Sequence, residues 1–280
     1  MVAFAVTDWD DAYENGKNIP GGSNYPTAWE EPSASFRAAA NGRLDVAYGQ
    51  GDRHRYDLFL PEGEPIGLFV FVHGGYWMAL DKSYWSHLAA GPIARGWAVM
   101  MPSYDLCPDV TIAEITAQVG AAITHAAQDI AGPIVLSGHS AGGHLVTAMM
   151  CHDSPLSDTM RSRLDHVLSI SGVHDLRPMT QMWRKEALQL DMDTATAQSP
   201  VLKLPLDGVQ LTTWVGGGER EEFLRQSALL SNIWHGLGCL TQNVVAPDRH
   251  HFNVIDALAD PDGPMLRTVL GAAEEKVIRK

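Results

Sequence analysis

Four stretches of this 280-residue chain, 67–72, 97–101, 133–136 and 166–170, are of strand length and almost wholly apolar. A strand wetted on one face alternates apolar and polar residues, whereas a run without alternation suits a strand buried on both faces. Helix-like stretches at roughly 82–95, 111–130 and 141–152 separate these runs. Strands alternating with helices of that length indicate βαβ units, and so an α/β fold with a mostly parallel central sheet flanked by helices. Two earlier stretches, 44–48 and 56–60, do alternate and read as half-exposed strands. Downstream, 209–215 reads as a strand, 220–235 as a helix, 239–245 as a strand and 264–277 as a final helix.

These elements define one domain over 43–280, with a less regular insert at about 172–205 as a candidate cap. Residues 1–42 look irregular: Ile19-Pro20-Gly21-Gly22-Ser23-Asn24-Tyr25-Pro26 is turn-rich, and Pro32 follows. The segment also carries Trp9, Tyr13, Tyr25 and Trp29, too many aromatics for a disordered tail. It is expected to be an arm packed on the domain, a candidate cover for an active-site mouth.

Composition narrows the functional classes. A chain of this length can bury a sufficient core without disulfides or metal. No apolar run approaches the roughly 18 residues of a bilayer span, and the acidic first residues do not read as a signal peptide. Cys107, Cys151 and Cys239 are odd in number and widely spaced, so they read as reduced thiols of a cytoplasmic protein. A formal charge of −13 argues against a nucleic-acid groove or an anionic membrane surface. The expected partner is a small molecule, with a homodimer left open, and no metal or cofactor is expected.

The chemistry is carried by Gly138-His139-Ser140-Ala141-Gly142, which follows a buried strand and opens a helix. A serine hydroxyl is a weak nucleophile and must be exposed beside a base. A sharp strand-to-helix turn achieves that, with glycine two residues to either side leaving room for strained backbone. His73-Gly74-Gly75-Tyr76-Trp77 closes the run 67–72. Its Gly-rich backbone, at Gly74, Gly75 and Tyr76, can join the Ala141 N–H as an oxyanion hole. His73 itself reads as a structural hydrogen-bonder.

In this fold the partners follow in the order serine, acid, histidine. His251 follows the last strand and opens an apolar helical segment, and it is preferred over His250 as the base. Glu219, first after Gly216-Gly217-Gly218, is the preferred acid; Asp175 is its rival, and Glu221 and Glu222 read as solvated first-turn residues. Tyr76, Trp77 and Tyr104 are candidates to stack on an aryl substrate, with packing against the strand ends as the alternative. Arg177 and Arg184 are candidates to pair with a substrate carboxylate, and Arg177 reads mainly as structural.

Several motifs resemble the kynurenine formamidase (arylformamidase) branch of the hormone-sensitive-lipase-like α/β-hydrolases. They are His73-Gly74-Gly75-Tyr76-Trp77, Tyr104-Asp105-Leu106-Cys107-Pro108, Gly138-His139-Ser140-Ala141-Gly142-Gly143-His144, Ser171-Gly172-Val173-His174-Asp175-Leu176-Arg177-Pro178 and His251-Phe252. The stretch from Gly218 to Ser227 resembles the family's acid loop, with Glu219 where Asp is usual; the longer acid is accepted in this fold. The resemblance covers roughly 43–260. It implies metal-free hydrolysis of N-formyl-L-kynurenine to formate and L-kynurenine through a formyl-enzyme on Ser140. Two other functions stay open: a carboxylesterase on small acyl esters with the same triad, and a non-catalytic ligand-binding member of the fold.

Overall fold

The structure is a computed structural model, and it describes residues 5–278. Eight strands form one sheet in the order β1-β2-β4-β3-β5-β6-β7-β8. They are β1 (Gly42–Ala47), β2 (Arg55–Phe59), β3 (Leu68–Val72), β4 (Ala98–Pro102), β5 (Ile134–His139), β6 (Leu164–Ile170), β7 (Gln210–Gly216) and β8 (Leu240–Ala246). β2 runs antiparallel to both β1 and β4, and every other pairing is parallel.

The apolar runs become the sheet's interior for a simple reason. Successive side chains of a strand point to opposite faces. In β3, Leu68, Val70 and Val72 enter one core while Phe69 and Phe71 enter the other. The first core is closed by the helices Ile112–Ala126, Ala141–Met149 and Glu221–Trp234, through Ile115, Leu145, Phe223 and Trp234 among others. The second is closed by the helix Pro264–Ile278, through Leu266 and Val269. Helix starts follow local chemistry: Thr111 and Glu114 form a reciprocal capping box at the start of Ile112–Ala126.

Two segments, the arm and the stretch near 82–95, differ from the expectation drawn from sequence. The arm is not irregular. It holds short helices at Trp9–Ala12 and Asn15–Asn18 and a 15-residue helix, Tyr25–Ala39, with Pro32 inside it. An internal proline costs a helix one backbone bond, and here packing outweighs it. Trp29 and Ser33, one turn apart, are both buried. Ser33 Oγ donates to the Tyr84 carbonyl at 2.7 Å, and Trp29 lies 5.1 Å from the Trp85 ring and 5.8 Å from that of Phe252. Residues 1–4 of the arm lie outside the described residues. The stretch near 82–95 is two 3-10 turns, Lys82–Tyr84 and Ser86–Ala89, leading into a short helix, Ala90–Ala94. The insert is a run of 3-10 turns and one helix, Met192–Ala197, that buries Val173, Leu176, Met179, Met182 and Leu188 in the first core.

Trp29→Ala removes the anchor of the arm helix. It is expected to lower stability by about 3–5 kcal/mol, the usual cost of truncating a buried Trp, read as a lower urea midpoint with an unchanged slope.

Candidate active site

β5 ends at His139, and the chain turns at once into the helix Ala141–Met149. Between them Ser140 has φ 56° and ψ −116°, a conformation L-residues avoid unless neighbours enforce it. The enforcement is visible at the flanking glycines. A Cβ at Gly138 would stand 2.2 Å from the Gly142 carbonyl oxygen, and one at Gly142 would stand 2.0 Å from that of Val72. Neither position can take a side chain. The Ser140 N–H donates to Ile170 O at 2.9 Å, tying the turn to the end of β6.

The Gly74 loop lies directly against this turn: a Cβ at Gly74 would be 3.0 Å from that of Ser140. Gly75 (φ 114°) and Tyr76 (φ 55°) take left-handed backbone. The N–H groups of Gly74, Gly75, Tyr76 and Ala141 have no acceptor among the described residues. Unpaired backbone donors in the two segments that meet at Ser140 suit a developing oxyanion.

Glu219 lies just beyond β7, and its carboxylate is fully committed. Oε1 accepts from Ser171 Oγ at 2.5 Å and from the Gly216 N–H at 2.8 Å, while Oε2 lies 2.7 Å from His251 Nδ1. An ionised carboxylate only accepts, so Nδ1 carries the proton and Nε2 is left as the basic nitrogen. His251 is itself buried, in the loop after β8. That loop is held close to β7: the Gly218 N–H donates to Arg249 O at 2.9 Å, and a Cβ at Gly216 would meet the same oxygen at 2.5 Å.

The alternative acid and base are engaged elsewhere. Asp175 is bound by Arg177 at 2.8 and 2.9 Å, in a two-pronged ion pair. His250 Nε2 faces the Tyr25 hydroxyl at 3.2 Å. His139, between Gly138 and Ser140, plays a part that sequence reasoning missed. Burial, followed by the neighbouring His251 ring, lowers its pKa well below the usual imidazole value. It is therefore neutral, and its Nε2–H donates to the His251 backbone carbonyl at 2.8 Å.

Ser140, His139 and His251 share the wall of a cavity of about 180 Å³ with Gly75, Tyr76 and Leu80. Ser140 and His251 share this wall with no side-chain hydrogen bond between them among the described residues. The opposite wall comes from the arm: Glu14, Asn15, Gly16, Pro26 and Trp29. Only the aromatic density of that segment hinted at this. A wider cleft of about 370 Å³, lined by Arg37, Arg53, Asp57 and Lys82, holds none of these groups.

Of the three aromatic candidates only Tyr76 reaches the cavity. Trp77 is 1% exposed and meets the His144 ring edge-on at 5.2 Å. Tyr104 is fully buried, stacked on His73 at 4.3 Å, and its hydroxyl donates to His73 O at 2.9 Å. Both are packed in the first core and do not line the cavity: Tyr76 and Trp77 take successive left-handed backbone, and Tyr104 is held by its stacking and hydrogen bond on His73.

A serine forced into left-handed backbone between a buried strand and the helix behind it is the signature of the α/β-hydrolases, and the chain is a hydrolase of the hormone-sensitive-lipase-like group. It belongs to the BD-FAE family, whose profile matches residues 56–208. It is 29% identical to a kynurenine formamidase of Salmo salar over 88% of this chain and 87% of that one. A crystal structure of a "putative thioesterase" from Silicibacter sp. superposes with a TM-score of 0.89 at 49% identity, over 94% of this chain and 98% of that one. A carbohydrate esterase from gut microbiota shares the fold at a TM-score of 0.68 and 17% identity, over 85% of this chain and 97% of that one. No helix among the described residues is long and apolar enough to cross a membrane.

Burial holds four histidines neutral. His73 and His144 are pushed down to about 4 and His174 to about 3, and His139 is held well below the usual imidazole value, in each case first by loss of hydration. Unfolded imidazoles titrate near 6.5. Between about pH 6.5 and 4 the unfolded chain binds protons that the folded chain refuses, so this stability is full above about 6.5 and drains as pH falls. The urea midpoint is expected to drop steadily from pH 7 to 4.5; a flat profile would contradict the burial of these rings as neutral groups.

Proposed function

We propose that Ser140, His251 and Glu219 act as nucleophile, base and acid, and that the protein hydrolyses an aryl formamide such as N-formyl-L-kynurenine. The observation that carries the triad is the 2.7 Å contact from Glu219 to His251 Nδ1, in a cavity whose wall also holds Ser140. Substrate class is supported by the similarity to the Salmo salar formamidase over nearly the full length of both chains. The cavity supports it too: Tyr76, Trp29, Trp85 and Phe252 in its wall suit an aryl group beside Ser140.

In this reading Ser140 Oγ attacks the formyl carbon as its proton passes to His251 Nε2. The oxyanion is met by N–H groups of the Gly74–Tyr76 loop and Ala141. The C–N bond breaks as His251 returns the proton to the departing aryl amine, leaving a formyl ester on Ser140. Water, deprotonated by His251, attacks that ester; formate leaves, and the proton returns to Ser140. Glu219 holds the imidazole in the required tautomer and stabilises its charged form. The free thiols of Cys107, Cys151 and Cys239 fit the reducing cytoplasm we assign to it.

A second reading is hydrolysis of small esters or thioesters. It uses the same groups and is favoured by the description of the 49%-identical Silicibacter protein. The test is kcat/KM on N-formyl-L-kynurenine and on a short-chain p-nitrophenyl ester, with Ser140→Ala as blank. A clear formamide preference, lost by roughly 10⁴-fold or more in the blank, is the expected result. Ester turnover with negligible formamide cleavage would leave the triad standing and replace the substrate.

Removing the acid should separate the rivals. Glu219→Ala is expected to lose roughly 10³–10⁴-fold in kcat, and Asp175→Ala less than tenfold. The reverse order in steady-state assays would transfer the acid role to Asp175.

A further inference from the structure

The cavity's wall is largely apolar, yet two of the arm's polar residues, Glu14 and Asn15, are built into it. Glu14 faces Arg184, a residue of the insert, at 3.4 Å, with the two side chains 17% and 19% exposed. This pair is unlike the other part-buried arginine pairs near it. Arg177 grips Asp175 at 2.8 and 2.9 Å, and Arg225 grips Glu222 twice at 2.7 Å. Arg184 makes one long contact, and that is the only hydrogen bond of its guanidinium among the described residues. A guanidinium has five N–H donors in a fork that matches a carboxylate, so most of its capacity is unused.

The group is nonetheless held in place. Its central carbon lies 4.5 Å from the Tyr76 ring centroid and 4.7 Å from that of Trp183. Tyr76 is a cavity-wall residue of the Gly74 loop, and its hydroxyl donates to the Tyr13 carbonyl, which fixes the ring. The guanidinium is thus fixed in position by aromatic faces, one step behind the wall, while its hydrogen-bonding edge stays open. Asn15 adds a second unspent donor: its side chain is buried, its Oδ1 accepts from the Arg220 N–H at 3.4 Å, and its Nδ2 has no partner.

We propose that Arg184 anchors a carboxylate on the leaving group of the substrate and that Glu14, its loose resting partner, takes an ammonium on the same group, so that the site selects an aryl compound bearing a free α-amino acid. The inference rests on the aryl-formamide reading for its reaction, and on the Arg184–Glu14–Tyr76 geometry for its selectivity. Exchange of one internal ion pair for two intermolecular ones leaves no buried charge uncompensated, which is the condition under which such pairs favour binding. A ligand without the amino acid leaves the internal pair intact and gains nothing from it.

The test uses binding, so it does not depend on which bond the enzyme cleaves. L-kynurenine and 2-aminoacetophenone, the same aryl amine without the amino acid, are titrated calorimetrically into the wild-type protein, Arg184→Met and Arg184→Lys. Wild type is expected to bind L-kynurenine at least tenfold more tightly. Arg184→Met, which keeps the apolar stem, should bring the ratio of the two affinities near one, and Arg184→Lys should restore it in part. Absence of a preference in wild type, or a preference that survives in Arg184→Met, overturns the proposal. Equal weakening of both ligands in Arg184→Met, with the ratio kept, overturns it as well, since that marks a structural role. Turnover of N-formyl-L-kynurenine is read separately. If it is absent while the binding ratio behaves as expected, the formamidase reading fails and the anchor stands; if it is present while the ratio ignores Arg184, the anchor alone fails.

Discussion

The carboxylate of Glu219 is the junction on which the rest of the site depends. Its two oxygens collect three donors from the ends of three adjacent strands: Ser171 just after β6, Gly216 at the end of β7, and His251 beyond β8. A buried ionised carboxylate is costly unless its acceptors are satisfied, and here each bond that satisfies it also fixes a loop. The short backbone approaches at Gly216 and Gly218 to Arg249 follow from the same closure. The imidazole is therefore held by a hydrogen-bond network anchored at the ends of β6 and β7.

A second constraint acts on the other side of the imidazole. His139 is neutral because it is buried, and a neutral ring has one donor, which it spends on the carbonyl of His251. The residue before Ser140 thus braces the residue that must face Ser140. Strain at Ser140, glycine at 138 and 142, and the His139 brace all lie within five consecutive residues, so the strand-to-helix turn that carries Ser140 also contacts the His251 loop.

Around this rigid centre the cavity wall is borrowed from the arm. Trp29, Pro26 and Gly16 line the same cavity as Ser140, and Glu14 and Asn15 give it a polar corner linked to the insert through Arg184. The groups proposed to react sit at strand ends, and those proposed to discriminate between substrates sit on the arm and the insert. That division lets selectivity vary while the chemistry stays fixed.

Sequence alone determined what local pattern can determine. Unalternated apolar runs specified strands buried on both faces, and the spacing of glycines about Ser140 specified a strained turn, because both are set by backbone sterics within a few residues. The strand order from β3 to β8 brought Glu219 to His251 in the position that chain order suggested. Tertiary structure decided the rest. The helix at Tyr25–Ala39 forms against its own proline because Trp29 and Ser33 find partners in the segment 84–85 and at Phe252. Trp77 and Tyr104 are packed in the core while Tyr76 lines the cavity, set by left-handed backbone at Tyr76 and Trp77 and by the contact of Tyr104 with His73, neither of which periodicity reveals. Asp175 and Glu219 are both acids after strands, and only the arrangement of Arg177 beside the first and His251 beside the second tells them apart. Contacts between residues far apart in the chain carry these distinctions, and side-chain neutralisation, packing and desolvation act only once those residues meet.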